Sequence, residues 1–253
     1  MLVLLPPSEG KAVPAGGAPV DLAALIHPEL TPQREWLLTA VEKLGRGSRK
    51  TGLARLGLGS SLTAELERNA TLRTAPAAPA ADVYTGVLFQ RLDLASLTGD
   101  AQARARERLL IASALWGIVR LEDRIPAYRL SMGAKLPRLG GLAAMWRPAL
   151  TAALPPDGLV IDLRPQSYAA AWRPEGGTVV DVRALIEAAG RRTVVSHMVK
   201  ATRGDVARLL VAAPHAATDP EGVAALAEAA GLRVELAQGK GAWQLEVVLS
   251  AAP

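Results

Sequence analysis

A hydroxyl, a carboxylate, a glycine and an ammonium stand in four consecutive residues, Ser8, Glu9, Gly10 and Lys11. Such a set can bind an anion, take up a proton through Glu9, or stabilise developing charge through Lys11. What precedes it decides how well it is held. Leu2 to Leu5 is a continuous apolar run that reads as a strand buried on both faces. Pro6 and Pro7 have no N–H to donate to a ladder, so the strand stops there and the polar set falls on a strand-end loop. The plainer alternative is a first strand followed by an ordinary polar turn.

Three tyrosines are among only nine aromatic residues, so each one counts. Tyr84, Tyr128 and Tyr168 each bring a ring that can stack and a hydroxyl that can bond a phosphate or an amide. The alternative for each is a core ring with a satisfied hydroxyl. Tyr128 lies in an extended segment between Pro126 and Arg129. Ser167 and Tyr168 follow a predicted strand that ends at Leu163. Lys200 and Arg203 follow a predicted strand over Thr193 to Val199 and open a helix near Gly204, where two cations and the helix dipole would favour an anion. The alternative there pairs Arg203 with Asp205 or a neighbouring carboxylate. If the cleft is catalytic, Glu9 is the candidate base, and Lys11, Tyr128 and Lys200 complete the set. As a binding site it comprises Ser8, Lys11, Tyr84, Arg129, Tyr168, Lys200 and Arg203. Neither a P-loop nor a dinucleotide glycine fingerprint occurs, no reaction is specified, and no cofactor is expected.

The elements that must position these groups alternate between strand and helix. Ala12 to Pro19 reads as a loop, and Thr31-Pro32 starts a helix, with Thr31 as its cap, that runs to about Leu44. Leu53 to Leu62, with Gly57-Leu58-Gly59 at its centre, has the outline of a helix–hairpin–helix within a helical segment of about 32–73. In that motif the glycines let a DNA phosphate approach, with Arg46, Arg49, Lys50 and Arg55 as nearby cations. The alternative is a helix pair whose glycines merely cap the first helix. Further helices are predicted from about Thr85 to Leu92, from Ala101 to Arg108 capped by Asp100, from Gly141 to Leu154 with a break at Pro148, and from Arg203 to Ala213 and Pro220 to Ala230. Strands are predicted at Leu109 to Leu115, Leu159 to Leu163 and Thr178 to Val182. Arg233 to Gln238 with Trp243 to Leu249 reads as a terminal antiparallel hairpin. The fold class is therefore mixed α/β (α+β): a single domain over 1–253, its mixed sheet flanked by helices.

Composition narrows the class further. The 253 residues include no cysteine, so disulfides and thiolate metal sites are excluded. No apolar run approaches the ~20 residues of a membrane span, and no basic n-region precedes the first apolar stretch, so a cytoplasmic protein is expected. His27, His197 and His215 are scattered, and no metal is expected. The net charge is +5, with eight basic against four acidic residues from Arg34 to Arg73. Arg120 to Arg147 and Arg191 to Arg208 are also basic, which suggests an anion-binding face.

Five stretches together resemble the YaaA family of bacterial peroxide-stress proteins. They are the segment up to Lys11, Asp82-Val83-Tyr84-Thr85-Gly86, Ser113 to Arg120, Pro126 to Gly133, and Lys200 to Gly204, in the family's order. The resemblance implies a mixed α/β fold with a basic cleft and a helix–hairpin–helix, association with DNA, and a role in limiting peroxide and iron damage. Two places depart from the family pattern. Asp162-Leu163-Arg164-Pro165-Gln166 replaces an Asn-Leu-Ala-Ser run, and Ser196-His197-Met198 lacks an aromatic pair. The leading expectation is a cytoplasmic peroxide-stress protein that binds DNA independently of base sequence. The rival is an enzyme acting on a small anionic or nucleobase-like substrate. Direct iron handling is a third, weaker reading.

Overall fold

The computed structural model describes residues 1–155, 157–188, 191–193 and 196–250. Its first strand, β1 (Leu2–Leu5), ends at Pro6 as the missing N–H requires, and Val3, Leu4 and Leu5 are fully buried. The chain then builds helices before it returns to the sheet. These are α1 (Thr31–Arg46), α2 (Arg49–Leu56) and α3 (Thr63–Arg68), followed by a short strand β2 (Ala78–Pro79), then α4 (Ala80–Val83), α5 (Val87–Leu92) and α6 (Gly99–Arg108). Thr31 does not cap α1. A 3-10 turn over Pro28–Leu30 leads into the helix and puts Leu30 at the cap position, while the Thr31 hydroxyl donates to the Leu22 carbonyl. Nor does Asp100 cap α6, whose cap position is Thr98.

The second sheet strand, β3 (Leu109–Ser113), is buried throughout and pairs parallel to β1. β4 (Gly117–Val119) folds back on β3, and β5 (Arg124–Ile125) pairs with β2. The chain then crosses through α7 (Leu142–Ala153) to β6 (Leu159–Asp162) on the other side of β1. Beyond it lie α8 (Gln166–Ala169), β7 (Thr178–Ala188), β8 (Arg191–Thr193), α9 (Ser196–Ala212), α10 (Pro220–Ala229), β9 (Val234–Gln238) and β10 (Trp243–Ser250). The sheet order is β4-β3-β1-β6-β7-β10-β9, with β8 on β7. The inner strands are parallel, and β4, β8 and β9 are antiparallel additions, so the fold is mixed α/β with the expected C-terminal hairpin. Successive strands leave β1 in opposite directions, to β3 and then to β6. That reversal makes the carboxyl ends of these strands a topological switch point, the place where open α/β sheets hold ligands.

A predicted strand also fails to form. Residues 193–199 do not form a strand: β8 stops at Thr193 and α9 begins at Ser196, with 194–195 outside the described residues. The alternation of β-branched residues favoured a strand locally. Thr202, Val206, Leu210 and their neighbours bury at helical spacing instead, and β7 extends to Ala188 against the whole of β10. Gly204 makes this packing possible. A Cβ there would stand 2.6 Å from Arg91 Cβ and closer still to the Leu88 carbonyl oxygen, so α9 lies directly on α5. Gly204→Ala is expected to cost about 2 kcal/mol through overpacking against backbone. An unchanged urea midpoint would show that the two helices can part freely.

Candidate functional site at the strand ends

The loop after β1 delivers its polar groups as the prolines require. The Ser8 hydroxyl donates to the Gly10 carbonyl at 2.6 Å and accepts from the Thr85 amide at 3.0 Å. Lys11 forms a bridge with Tyr84, reinforced by the Ala12 amide donating to the Val83 carbonyl. This tie fixes Lys11 beside two rings. Its Nζ lies 4.1 Å from the centroid of Tyr128 and 5.5 Å from that of Tyr84, and donates to the Ser8 carbonyl at 2.8 Å.

Beneath the ammonium runs a chain of hydroxyls. Tyr84 and Tyr128 share a hydrogen bond of 2.9 Å, and Tyr128 shares another of 2.7 Å with Ser113 at the end of β3. Ser113 Oγ also accepts from the amides of Leu115 and Trp116, and Trp116 packs edge-on to Tyr128. Ser113 joins the cluster although sequence reasoning did not single it out among the candidate site residues; its signals were its place at the end of a predicted buried strand and at the head of the family-like stretch Ser113 to Arg120. Burial raises the pKa of Tyr84 and Tyr128 above the usual phenol value, so both hydroxyls stay protonated at neutral pH. Tyr168, on α8, is buried beside them and is raised for the same reason. Ser167 faces outward, exposed.

Arg129 organises the charges. Its guanidinium holds Glu9 at 3.1 Å and Glu65 of α3 at 3.2 Å, while its backbone amide and carbonyl pair with the side chain of Asn69. Both carboxylates that Lys11 senses are thereby engaged elsewhere. Burial first, and the Arg129 charge second, bring the Lys11 ammonium down to about 7, against the opposing pull of Glu65 and Glu9. Glu9, Lys11, Tyr84, Tyr128, Arg129 and Tyr168 thus converge. A separate cavity of about 550 Å³ shares Tyr84 and Thr85 with this cluster but is lined otherwise by Pro79, α4, α5, the turn over 93–97, α6 and Leu121-Glu122.

Lys200 and Arg203 do not open a helix. They occupy the second turn of α9, Lys200 exposed and Arg203 half-buried. Arg203 does not pair with Asp205, which binds Arg91 at 2.7 Å. Burial lowers the Arg203 pKa, opposed by the charges of Asp162 and Asp181, and its Nε has no hydrogen-bond partner among the described residues. Those two aspartates are register neighbours on β6 and β7. Like charges side by side need cations, and Arg164 supplies one to Asp162 at 2.7 Å while Arg173 supplies another to Asp181 at 2.8 Å. The run 162–166, unusual for the family, is thus a buried ion pair whose arginine also donates to the Trp172 carbonyl.

The helical segment is partly as expected. α2 and α3 are joined by a short connection, with Gly57 in the left-handed conformation (φ 67°) as the C-terminal cap of α2. That cap accounts for Gly57 structurally, whereas Gly59 has an ordinary φ of −72° and no atom crowding its face. α3 spans six residues, too short to offer a phosphate the amide cluster of a longer helix. Lys50 and Arg55 are exposed, Arg49 reaches Glu67 at 3.4 Å, and Arg46 reaches Glu42 at 3.3 Å. Two arginines counted in the basic run face elsewhere. Arg34 is fully buried among backbone carbonyls, and Arg73 pairs with Glu35.

Fold and site together define a mixed-sheet α/β protein with a lysine–tyrosine cluster at its strand ends and a helical hairpin beside it. The family model described as peroxide stress protein YaaA matches residues 1–237, and the chain belongs to that family. It is 48% identical over 98% of both chains to the UPF0246 protein SCO2297 of Streptomyces coelicolor. It is also 42% identical to the UPF0246 protein CE1889 of Corynebacterium efficiens, over 95% of this chain and 97% of that one. Among the described residues no helix is long and apolar enough to cross a membrane, and no group of three or more His, Asp or Glu is arranged to hold a metal ion.

Proposed function

We propose that this protein serves the peroxide-stress response in the cytoplasm by binding DNA through its phosphate backbone, with the α2–α3 hairpin as the first point of contact. One observation carries this reading: the hairpin and the strand-end cluster are tied together by direct contacts. Arg129 joins the cluster to Glu65 and Asn69 of the hairpin region, and the Lys135 amide donates to the Arg55 carbonyl at 2.8 Å. Lys50 and Arg55, both exposed, are the cations the hairpin offers to a nucleic-acid backbone. Contacts of this kind neutralise phosphates and carry no base specificity. Gly59, which the fold does not require at its position, suits the close approach of a nucleic-acid backbone.

The test is the salt dependence of binding. Each phosphate neutralised in duplex DNA contributes about 0.9 to the slope of log affinity against log salt. Replacing Lys50 and Arg55 by alanine is expected to flatten that slope by about 1.8. Affinity for unrelated sequences should fall alike. A double variant with the affinity and slope of the parent protein removes the hairpin from the interface.

A second reading, catalysis on a small anionic or nucleobase-like substrate, is favoured by the Lys11 environment specifically. A scaffold that only holds phosphate has no use for a lysine shielded from its carboxylates. In a catalytic protein, changes at Lys11 abolish protection of cells while duplex affinity persists; in a scaffold both fall together.

A further inference from the structure

Lys11 is held in an arrangement that withholds a counter-ion from it. Glu9 and Glu65 both give an oxygen to Arg129, and the Lys11 Nζ has instead a backbone carbonyl and the face of a tyrosine ring. A lysine that binds phosphate as a point charge keeps its charge and its hydration. Burial of the ammonium and assignment of both carboxylates to an arginine produce an amine of which about half is neutral at pH 7, as carbonyl chemistry requires. The protonated hydroxyls of Tyr84 and Tyr128 are bonded to each other and, through Tyr128, to Ser113, which holds the two rings beside the amine.

We propose that Lys11 is a nucleophile that condenses with an aldehyde, and that this aldehyde is the ring-opened deoxyribose of a base-free site in DNA. The choice of substrate rests on the DNA-binding reading above; the chemistry of the amine does not. A base-free sugar carries an aldehyde at C1′ and a phosphate on either side, matching an amine whose neighbouring cations are Arg129 and Arg68. The Nζ lone pair forms a bond to C1′ as the C=O π pair moves to oxygen. The carbinolamine takes a proton from solvent and loses water, leaving a protonated imine. Glu9, which binds Arg129 through Oε2, accepts the C2′ proton at Oε1. The released pair forms the C2′–C3′ double bond, the C3′–O bond breaks, and the 3′-phosphate leaves. Water then hydrolyses the imine and returns the free amine. No oxidant, reductant or metal is consumed.

The full-length protein is incubated at pH 7 with 2-deoxyribose 5-phosphate, or with a duplex bearing one base-free site, and trapped with cyanoborohydride. Peptide mass mapping is expected to find the reduced adduct on Lys11 with both probes. Neutral-amine fractions predict labelling at least roughly 100-fold above an ordinary surface lysine. Lys11→Met and Lys11→Arg lose the adduct, whereas Lys240→Met traps as the parent does. Without reductant the duplex is cut on the 3′ side of the lesion, and Glu9→Gln retains trapping while losing cleavage. Duplex binding with no Lys11 adduct from either probe overturns the inference and leaves the DNA reading standing. An adduct with the sugar phosphate alone, with no duplex binding, overturns the DNA substrate. Trapping without Glu9-dependent cleavage overturns the elimination step.

Discussion

Arg34→Met is expected to destabilise the protein by about 4–5 kcal/mol, a large share of the ~5–15 kcal/mol that holds a typical domain together. The side chain is fully buried, yet it donates to four backbone carbonyls: Trp116 at 3.1 Å, His27 at 3.0 Å, Ile26 at 2.7 Å and Ile118 at 3.3 Å. Methionine fills much of the volume but leaves those acceptors without donors, and each unsatisfied buried group costs roughly 1–3 kcal/mol. It also removes a cation whose charge favours ionised Asp123, which accepts from the amides of Ile26 and Arg120. Two parts of the chain far apart in sequence are joined by this one guanidinium, the segment entering α1 and the turn after β3. Because that turn places Ser113 and Trp116 against Tyr128, the site is expected to loosen as well. Urea unfolding gives the cost directly, and Arg34→Lys should fall between the two because an ammonium reaches fewer carbonyls. A loss below about 1 kcal/mol would mean that water replaces the arginine at every carbonyl.

Lys11→Met is expected to change how stability depends on pH. The folded-state pKa of Lys11 is about 7, against an unfolded value near 10.4. Below pH 7 both states hold the proton and Lys11 contributes no slope. Between about 7 and 10 the unfolded chain binds more protons than the native one, so stability rises with pH through this group. The limit is about 1.4 kcal/mol per pH unit, lessened by the partial exposure of Lys11. The groups facing Lys11 are Glu9, Glu65, Arg68, Arg129, Tyr84 and Tyr128. The phenols are raised in pKa and stay neutral over this range. The methionine variant keeps the apolar stem on the rings and lacks the slope. Parent minus variant unfolding free energy, measured in steps from pH 6 to 10, should therefore climb. A flat difference would place the ammonium in water rather than against Tyr128.

Much of this molecule was legible from local sequence. A run of four aliphatic residues before two prolines can only be a short, abruptly ended strand, and β1 is that strand with Ser8, Glu9 and Lys11 on the loop beyond it. The terminal hairpin and most helix positions followed in the same way, because periodicity and breakers act over a few residues. The gathering of Tyr84, Tyr128, Arg129 and Tyr168 around Lys11 was foreseen from residue type and family resemblance. What each of them does there was not, since a contact such as Arg129 with Glu9 spans 120 positions and leaves no local trace.

The tertiary structure decided the rest. Ser113 became a hub because β3 ends beside Tyr128. Lys200 lies within a helix rather than at its start because α9 begins earlier than its β-branched residues suggest, once β7 and β10 have paired along their length. Arg34 changed from a surface cation to a buried strut, and Asp162-Leu163-Arg164 from a departure in sequence to an ion pair between strand and loop. In each case local propensity is worth a few tenths of a kcal/mol per residue, while burial and pairing of a charged group are worth several, so burial and pairing set the outcome.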